Sequence, residues 1–230
     1  MNIAGIVGGI APESTVDYYR SVVARYRERT ADGSYPPVLI DSIDMQRMLR
    51  LAATDLGGLS EYLGAEIERL ARAGADFAAL ASNTPHVVFD DLRRRAPIPL
   101  VSIVDATCEA ARGMGLRRLG LLGTRFTMEG RFYPDVFSRA GMALVPPPPE
   151  ELAYVHAWYM DELVQGVFRD ETRSKLVRIV DGMRRRDGVD AVILAGTELP
   201  LLLRDTASPV PLLDTTQLHV RAIVDRILRP

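Results

Sequence analysis

The sequence predicts an α/β protein of two pseudo-symmetric lobes, each a parallel sheet flanked by helices, with a functional site in the cleft between them. Three observations carry that prediction. First, Asp76-Phe-Ala-Ala-Leu-Ala-Ser-Asn-Thr-Pro-His86 has an echo in Asp190-Ala-Val-Ile-Leu-Ala-Gly-Thr-Glu-Leu-Pro200. Each copy is an acidic residue, an apolar run and a small polar turn, which is how a strand buried on both faces reads. Second, Ile3–Gly9 resembles Arg118–Thr124, and Pro97–Val101 resembles Pro209–Leu213. The three segments recur in the same order at a spacing of 112 to 115 residues. That period is too long for a solenoid repeat and fits a duplicated half-domain of βα units. Third, short apolar runs alternate with helical patterns along the whole chain, the signature of parallel sheets with crossover helices. The polar turns then sit at the carboxyl ends of their strands, where open α/β sheets place ligands.

Taken in order, Ile3 to Val7 is the first strand, and Gly8-Gly9-Ile10-Ala11 is the turn after it. Pro12 and Glu13 suit the first turn of a helix, whose apolar stripe is Val16, Tyr19, Val22, Val23 and Tyr26. The turn lacks both a G-x-G-x-x-G pattern and a Walker lysine, so a nucleotide phosphate site is poorly supported. Gly9 is either a tight-turn residue or part of a substrate cradle. Pro37 to Ile43 is the second strand, followed by Asp44-Met45-Gln46-Arg47. Arg47 is a candidate carboxylate clamp, because a guanidinium matches a carboxylate bidentately, although most arginines on such loops are solvated.

Leu59, Leu63, Ile67 and Leu70 space out a helix that Gly74 ends. The Asp76 strand follows, then a short helix through Val87, Val88 and Leu92, and a fourth strand at Ile98–Val101. Cys108, on the next helix, reads as a small buried hydrophobe. The second lobe opens with Leu119–Leu122 and Gly123-Thr124, and continues through a helix over Tyr133, Val136 and Phe137 and a strand over Met142–Val145. Pro146 to Pro149 is a rigid connector, and helical patterns cover about 150–166 and 170–186. Ala191–Leu194 leads to Gly196-Thr197-Glu198, and Leu212-Leu213 leads to the terminal helix.

The 230 residues are 47% hydrophobic and 25% charged, with a formal net charge of −2. This balance offers no nucleic-acid footprint, and no apolar run approaches the ~20 residues of a membrane span. The single cysteine excludes an internal disulfide, and the amino end lacks a secretory signal pattern, so the expected compartment is the cytoplasm. His86, His156 and His219 are scattered, so no metal site is expected.

The strand-end residues look familiar. Gly8 to Glu13, Ser82-Asn83-Thr84-Pro85-His86, Leu119 to Thr124, Tyr159 to Gly166 and Gly196-Thr197-Glu198-Leu199-Pro200 resemble, in order and over nearly the whole chain, the aspartate/glutamate (Asp/Glu/hydantoin) racemase family. That family includes hydantoin racemases, maleate isomerases and arylmalonate decarboxylases. The resemblance implies cofactor-free proton transfer by two cysteines, one per lobe, with Asn and Thr side chains holding a carboxylate. It also implies a first lobe of residues 1–101 plus 212–230, a second lobe of 102–211, and a homodimer.

This chain is a divergent member, because Ser82 and Gly196 stand at the two cysteine positions. It also has Val164 where racemases of acidic amino acids often carry a lysine. A serine hydroxyl is far less acidic than a thiol and needs an activating neighbour, for which His86, one turn on, is the candidate. Glu13, Tyr18, Tyr19, Asp44 and Glu198 also lie near strand ends, and Glu198 would be a base if burial raised its pKa. Asn83, Thr84, Thr124 and Thr197 are candidate donors to a carboxylate or enediolate, or else caps of the helices that follow. Gly196 is expected to leave room for a bulkier substrate. If only the thiols are missing, restoring both cysteines should create racemase activity.

The expected function is a racemase- or isomerase-like enzyme acting, without cysteines, beside the carboxylate or carbonyl of a small amino-acid-like substrate. The alternatives are a lyase, decarboxylase or cyclase of a biosynthetic pathway, and a silent carboxylate-binding protein.

Overall fold

Two parallel four-stranded sheets of the same topology organise the chain. In the first, β1 (Ala4–Gly8), β2 (Val38–Ser42), β3 (Phe77–Leu80) and β4 (Leu100–Val101) run in the order β2-β1-β3-β4. In the second, β5 (Arg118–Gly123), β6 (Ala143–Val145), β7 (Ala191–Ala195) and β8 (Leu212–Asp214) run in the order β6-β5-β7-β8. The computed structural model describes residues 1–203 and 206–229. It divides into two units, Met1–Ala106 with Thr216–Pro230, and Thr107–Thr215.

The echo of Asp76 in Asp190 has a structural cause. The Asp76 carboxylate accepts the Ile3 amide at 2.7 Å, and the Asp190 carboxylate accepts the Arg117 and Arg118 amides at 2.9 Å each. Both aspartates therefore clamp the neighbouring strand at its start and set the register Ala4↔Phe77 and Leu119↔Ala191. The two backbone donors hold the Asp190 carboxyl below its usual range.

Parallel pairing needs a crossover after each strand, and helices supply it. They are α1 (Pro12–Thr30), α2 (Met45–Thr54), α3 (Leu56–Arg72), α4 (Phe89–Arg95), α5 (Ile103–Gly113), α6 (Arg125–Glu129), α7 (Phe132–Arg139), α8 (Pro149–Asp161), α9 (Asp170–Asp187), α10 (Leu199–Leu203) and α11 (Thr215–Ile227). The central strands bury side chains on both faces, whereas β2 and β6, at the sheet edges, are half-exposed. Alternation along a strand sorts the first core into two layers. Ala4, Ile6, Phe77 and Ala79 meet Tyr18, Val22 and Tyr26 of α1 and Val220, Ile223 and Val224 of α11. Val7, Ala78 and Leu80 meet Leu59, Leu63 and Ile67 of α3. In the second unit Leu122, Val192 and Leu194 pack with Val155 and Tyr159 of α8 and with Ile179, Val180 and Met183 of α9.

Several elements depart from the sequence expectation. The buried face of α1 is Ser14, Tyr18, Val22 and Tyr26, while Val16 and Tyr19 are 43% and 48% exposed. The helix carries apolar residues on two faces, and only packing decides which is inward. Pro149 is not part of a connector but the first residue of α8. That helix stops at Asp161, and a 3₁₀ turn over Leu163–Gln165 follows. Helices α6 and α10 are five residues each, too short for a periodic pattern to announce them. Among the described residues, no helix is long and apolar enough to cross a membrane.

Candidate functional site: two buried strand-end turns

In the first unit, β3 ends in Ala81-Ser82-Asn83-Thr84 and turns into a 3₁₀ helix, Thr84–Val88. Ser82, Asn83, Thr84 and His86 are 8%, 2%, 5% and 2% exposed, so four polar side chains are buried in five residues. Burying polar groups is costly unless they are paired or held for a ligand. The Asn83 side chain makes no capping hydrogen bond, so capping does not account for it. The Ser82 hydroxyl makes no side-chain hydrogen bond among the described residues.

His86 is not the partner of Ser82 that the sequence suggested. Its Nε2 accepts the backbone amide of Ile103 at 3.3 Å, and its ring stacks on Phe89 at 4.6 Å between centroids. Burial, followed by the nearby His219, pushes its pKa down to about 3. The ring is therefore neutral, and the nitrogen that would take a proton already accepts one hydrogen bond. It ties the 3₁₀ turn to the start of α5. His219 is a second structural tie. Its Nε2 donates to the Val101 carbonyl at 3.0 Å, and its Nδ1 accepts from the Tyr18 hydroxyl at 2.9 Å. The acceptor-only carbonyl fixes that tautomer, and burial lowers the ring's pKa to about 4.

The other first-unit candidates are spread over the turn after β1 and helices α1 and α2. Gly9 has φ +79°, and a Cβ there would lie 2.6 Å from both Ile43 N and Ile43 O. Its amide donates to Thr15 Oγ1 at 2.8 Å, which engages that donor within the turn. Arg47 lies on α2 rather than in a loop, exposed, with its guanidinium 4.3 Å from the Tyr62 ring centroid. Asp44 is the N-cap of α2, accepting from the Gln46 and Arg47 amides. Glu13 and Tyr19 are exposed on α1, and Tyr18 holds His219.

In the second unit, Thr124 is half-buried and caps α6, its oxygen accepting the Thr127 amide. Thr124→Ala is expected to cost about 1 kcal/mol, the usual value of an N-cap, read as a lower urea midpoint with an unchanged denaturant slope. The β7 turn is built differently. Glu198, 2% exposed, accepts the Thr197 hydroxyl at 3.0 Å and the Tyr159 hydroxyl, both at Oε2. Thr197 thus directs its hydroxyl proton to Glu198 and not outward.

Gly196 does not leave room for substrate. A Cβ there would overlap Tyr159 Cε2 and lie 2.6 Å from the tyrosine's hydroxyl oxygen. The tyrosine ring fills the space that a side chain at 196 would need. Burial, and then the charge of Glu198, raise the Tyr159 phenol well above its usual pKa. Sequence reasoning placed Tyr159 at the start of a segment resembling the family but gave it no role, because nothing along the chain ties it to Glu198. Among the described residues no group of three or more His, Cys, Asp or Glu side chains could hold a metal ion.

Known proteins match this architecture. The Asp/Glu/Hydantoin racemase family model matches residues 7–223. An aspartate racemase homologue from Pyrococcus horikoshii OT3 is 34% identical, with full coverage of both chains and a TM-score of 0.86. A candidate Asp/Glu racemase from Yersinia pestis is 30% identical, again with full coverage of both, at a TM-score of 0.91. The broad specificity amino-acid racemase RacX of Bacillus subtilis (strain 168) is 21% identical over 97% of each chain. With two sheets of one topology, polar turns at their central strand ends and a family match over nearly its whole length, the chain belongs to the Asp/Glu/hydantoin racemase family.

Proposed function

We propose that this protein is a cofactor-independent enzyme of the amino-acid racemase superfamily. It moves a proton at the carbon beside the carboxylate of a small amino-acid-like substrate, by chemistry that uses no thiol. Membership of the racemase family supports the reaction class. The observation that carries the rest is the buried polar turn Ser82-Asn83-Thr84 at the carboxyl end of a central strand, in which the Asn83 side chain does not cap the following helix. Donors fixed there before the substrate arrives would stabilise the negative charge that builds on a carboxylate as its α-proton leaves.

The thiol-free part of the reading rests on residue identity. Serine and glycine occupy the two positions where the family resemblance places cysteine, and Cys108 is buried on α5. The resemblance further carries with it a cytoplasmic homodimer.

The test is proton NMR in heavy water with aspartate, glutamate, a panel of other amino acids and substituted malonates. Loss of an α-proton signal is the expected result, and Ser82→Ala should slow it by about 10²-fold, the usual effect of one lost donor to a developing oxyanion. Retention of every α-proton across the panel, with no new product, would sink the reading. Release of carbon dioxide from a malonate without exchange at amino acids would move the enzyme to the decarboxylases.

A further inference from the structure

We infer that Tyr159 is the proton carrier of the second unit, working with Glu198 in the space that Gly196 leaves open. The inference rests on the function proposed above and names the group that acts on this side. Three observations converge on it. The phenol oxygen lies 2.6 Å from the position a Cβ of residue 196 would take, so a proton-transferring group stands where the turn itself offers no side chain. The hydroxyl donates to Glu198 Oε2, so the phenol has a proton acceptor in direct contact. The hydroxyl of Thr197 donates to the same oxygen at 3.0 Å, which holds the Glu198 side chain in place as the acceptor. Tyr159 is 4% and Glu198 2% exposed, so neither is a casual surface contact.

The direction of proton flow follows from electrostatics. A phenolate beside the Glu198 carboxylate would place two negative charges in a buried pocket, and burial together with that charge keeps Tyr159 protonated. Tyr159 is therefore a relay and not a resting base. As the substrate's Cα–H bond breaks, its electron pair stays on carbon and spreads into the adjoining carboxylate. The proton bonds to the phenol oxygen while the phenol's own proton passes to Glu198 Oε2. Tyr159 ends neutral, Glu198 ends as the acid, and charge is conserved. Running the same steps backwards returns a proton to carbon. A proton donor or acceptor held in this way commonly contributes about 10²–10⁴-fold.

The test compares α-proton exchange by the wild type, Tyr159→Phe and Glu198→Gln in heavy water. Phenylalanine keeps the ring over Gly196 but gives up the hydrogen bond to Glu198, so the thermal midpoint of Tyr159→Phe should fall, and exchange is measured well below it. We expect exchange to fall by at least about 10²-fold in both variants with KM changed by less than about threefold, the pattern of a group that acts on the transition state and not on binding. Glu198→Gln supplies an independent arm if the phenylalanine variant folds poorly. Exchange at the wild-type rate in either variant overturns the relay and leaves the proposed function standing. A wild type that exchanges no substrate overturns the proposed function and the relay together.

Discussion

Gly196→Cys is expected to destabilise the protein by about 3 kcal/mol and to create no two-thiol racemase, even when combined with Ser82→Cys. The reason is steric. The new Cβ would lie 2.6 Å from the Tyr159 hydroxyl oxygen and closer still to the ring carbon Cε2, and the ring is buried. If the ring yields, its hydroxyl swings away from Glu198. Overpacking a core typically costs about 1–3 kcal/mol, and losing a hydrogen bond to a charged group about 1.5–3 kcal/mol more where no new partner is found. The two overlap, because one movement causes both. Urea denaturation of the single variant measures the loss. Trimming the obstacle should return part of it: Gly196→Cys with Tyr159→Leu is expected to be more stable than Gly196→Cys alone, and that non-additivity identifies the contact. A Gly196→Cys protein as stable as the wild type would show that the ring is free to move.

The second large effect is acid destabilisation. His86 and His219 have folded-state pKa values of about 3 and about 4, against about 6.5 in the unfolded chain. Both are therefore neutral when folded and take up protons on unfolding as the pH falls below about 6.5. Their contribution is fully present above the unfolded value and is lost progressively as the pH falls towards the folded values. Each ring loses about 1.4 kcal/mol of stability per pH unit in that window. Between about pH 7.5 and 5 the pair should remove about 4 kcal/mol. His156, lowered by burial and then by Arg125, adds a smaller loss of the same sign. Glu66, raised mainly by burial, has the opposite sign, because it holds its proton more tightly when folded. Asp91 and Asp190, both lowered from 3.8, lose their contribution only at lower pH. Urea midpoints at half-unit pH steps measure the slope, and His86→Asn should flatten it. A stability independent of pH between about 7 and 5 would contradict this account of both rings.

Much of the fold was legible in the sequence because its causes are local. A run such as Ala191-Val-Ile-Leu194 can be stable only with both faces covered, which requires helices on each side of a sheet. The two aspartates recur because each strand start needs an acceptor for free backbone amides. The recurrence of strand, polar turn and helix then fixed the parallel topology twice over. The register of α1 was less legible, since Val16 and Tyr19 are as apolar as the residues that were buried.

The site divides along the same line. Sequence alone determined the family, the absence of cysteine at residues 82 and 196, and the polar character of both strand-end turns, since residue identities state these directly. Only tertiary structure decided what those residues do. His86 is chemically a base, yet burial and then the nearby His219 lower its proton affinity, and its Nε2 is engaged by the amide of Ile103, seventeen positions away. Gly196 is chemically an absence, yet packing places the ring of Tyr159 in the space it leaves, thirty-seven positions earlier in the chain. Tyr159 opens one of the segments that carry the family resemblance, but nothing in that segment announces its partner. Its role follows from which buried carboxylate it touches, and a contact between distant residues is determined by packing and not by spacing along the chain.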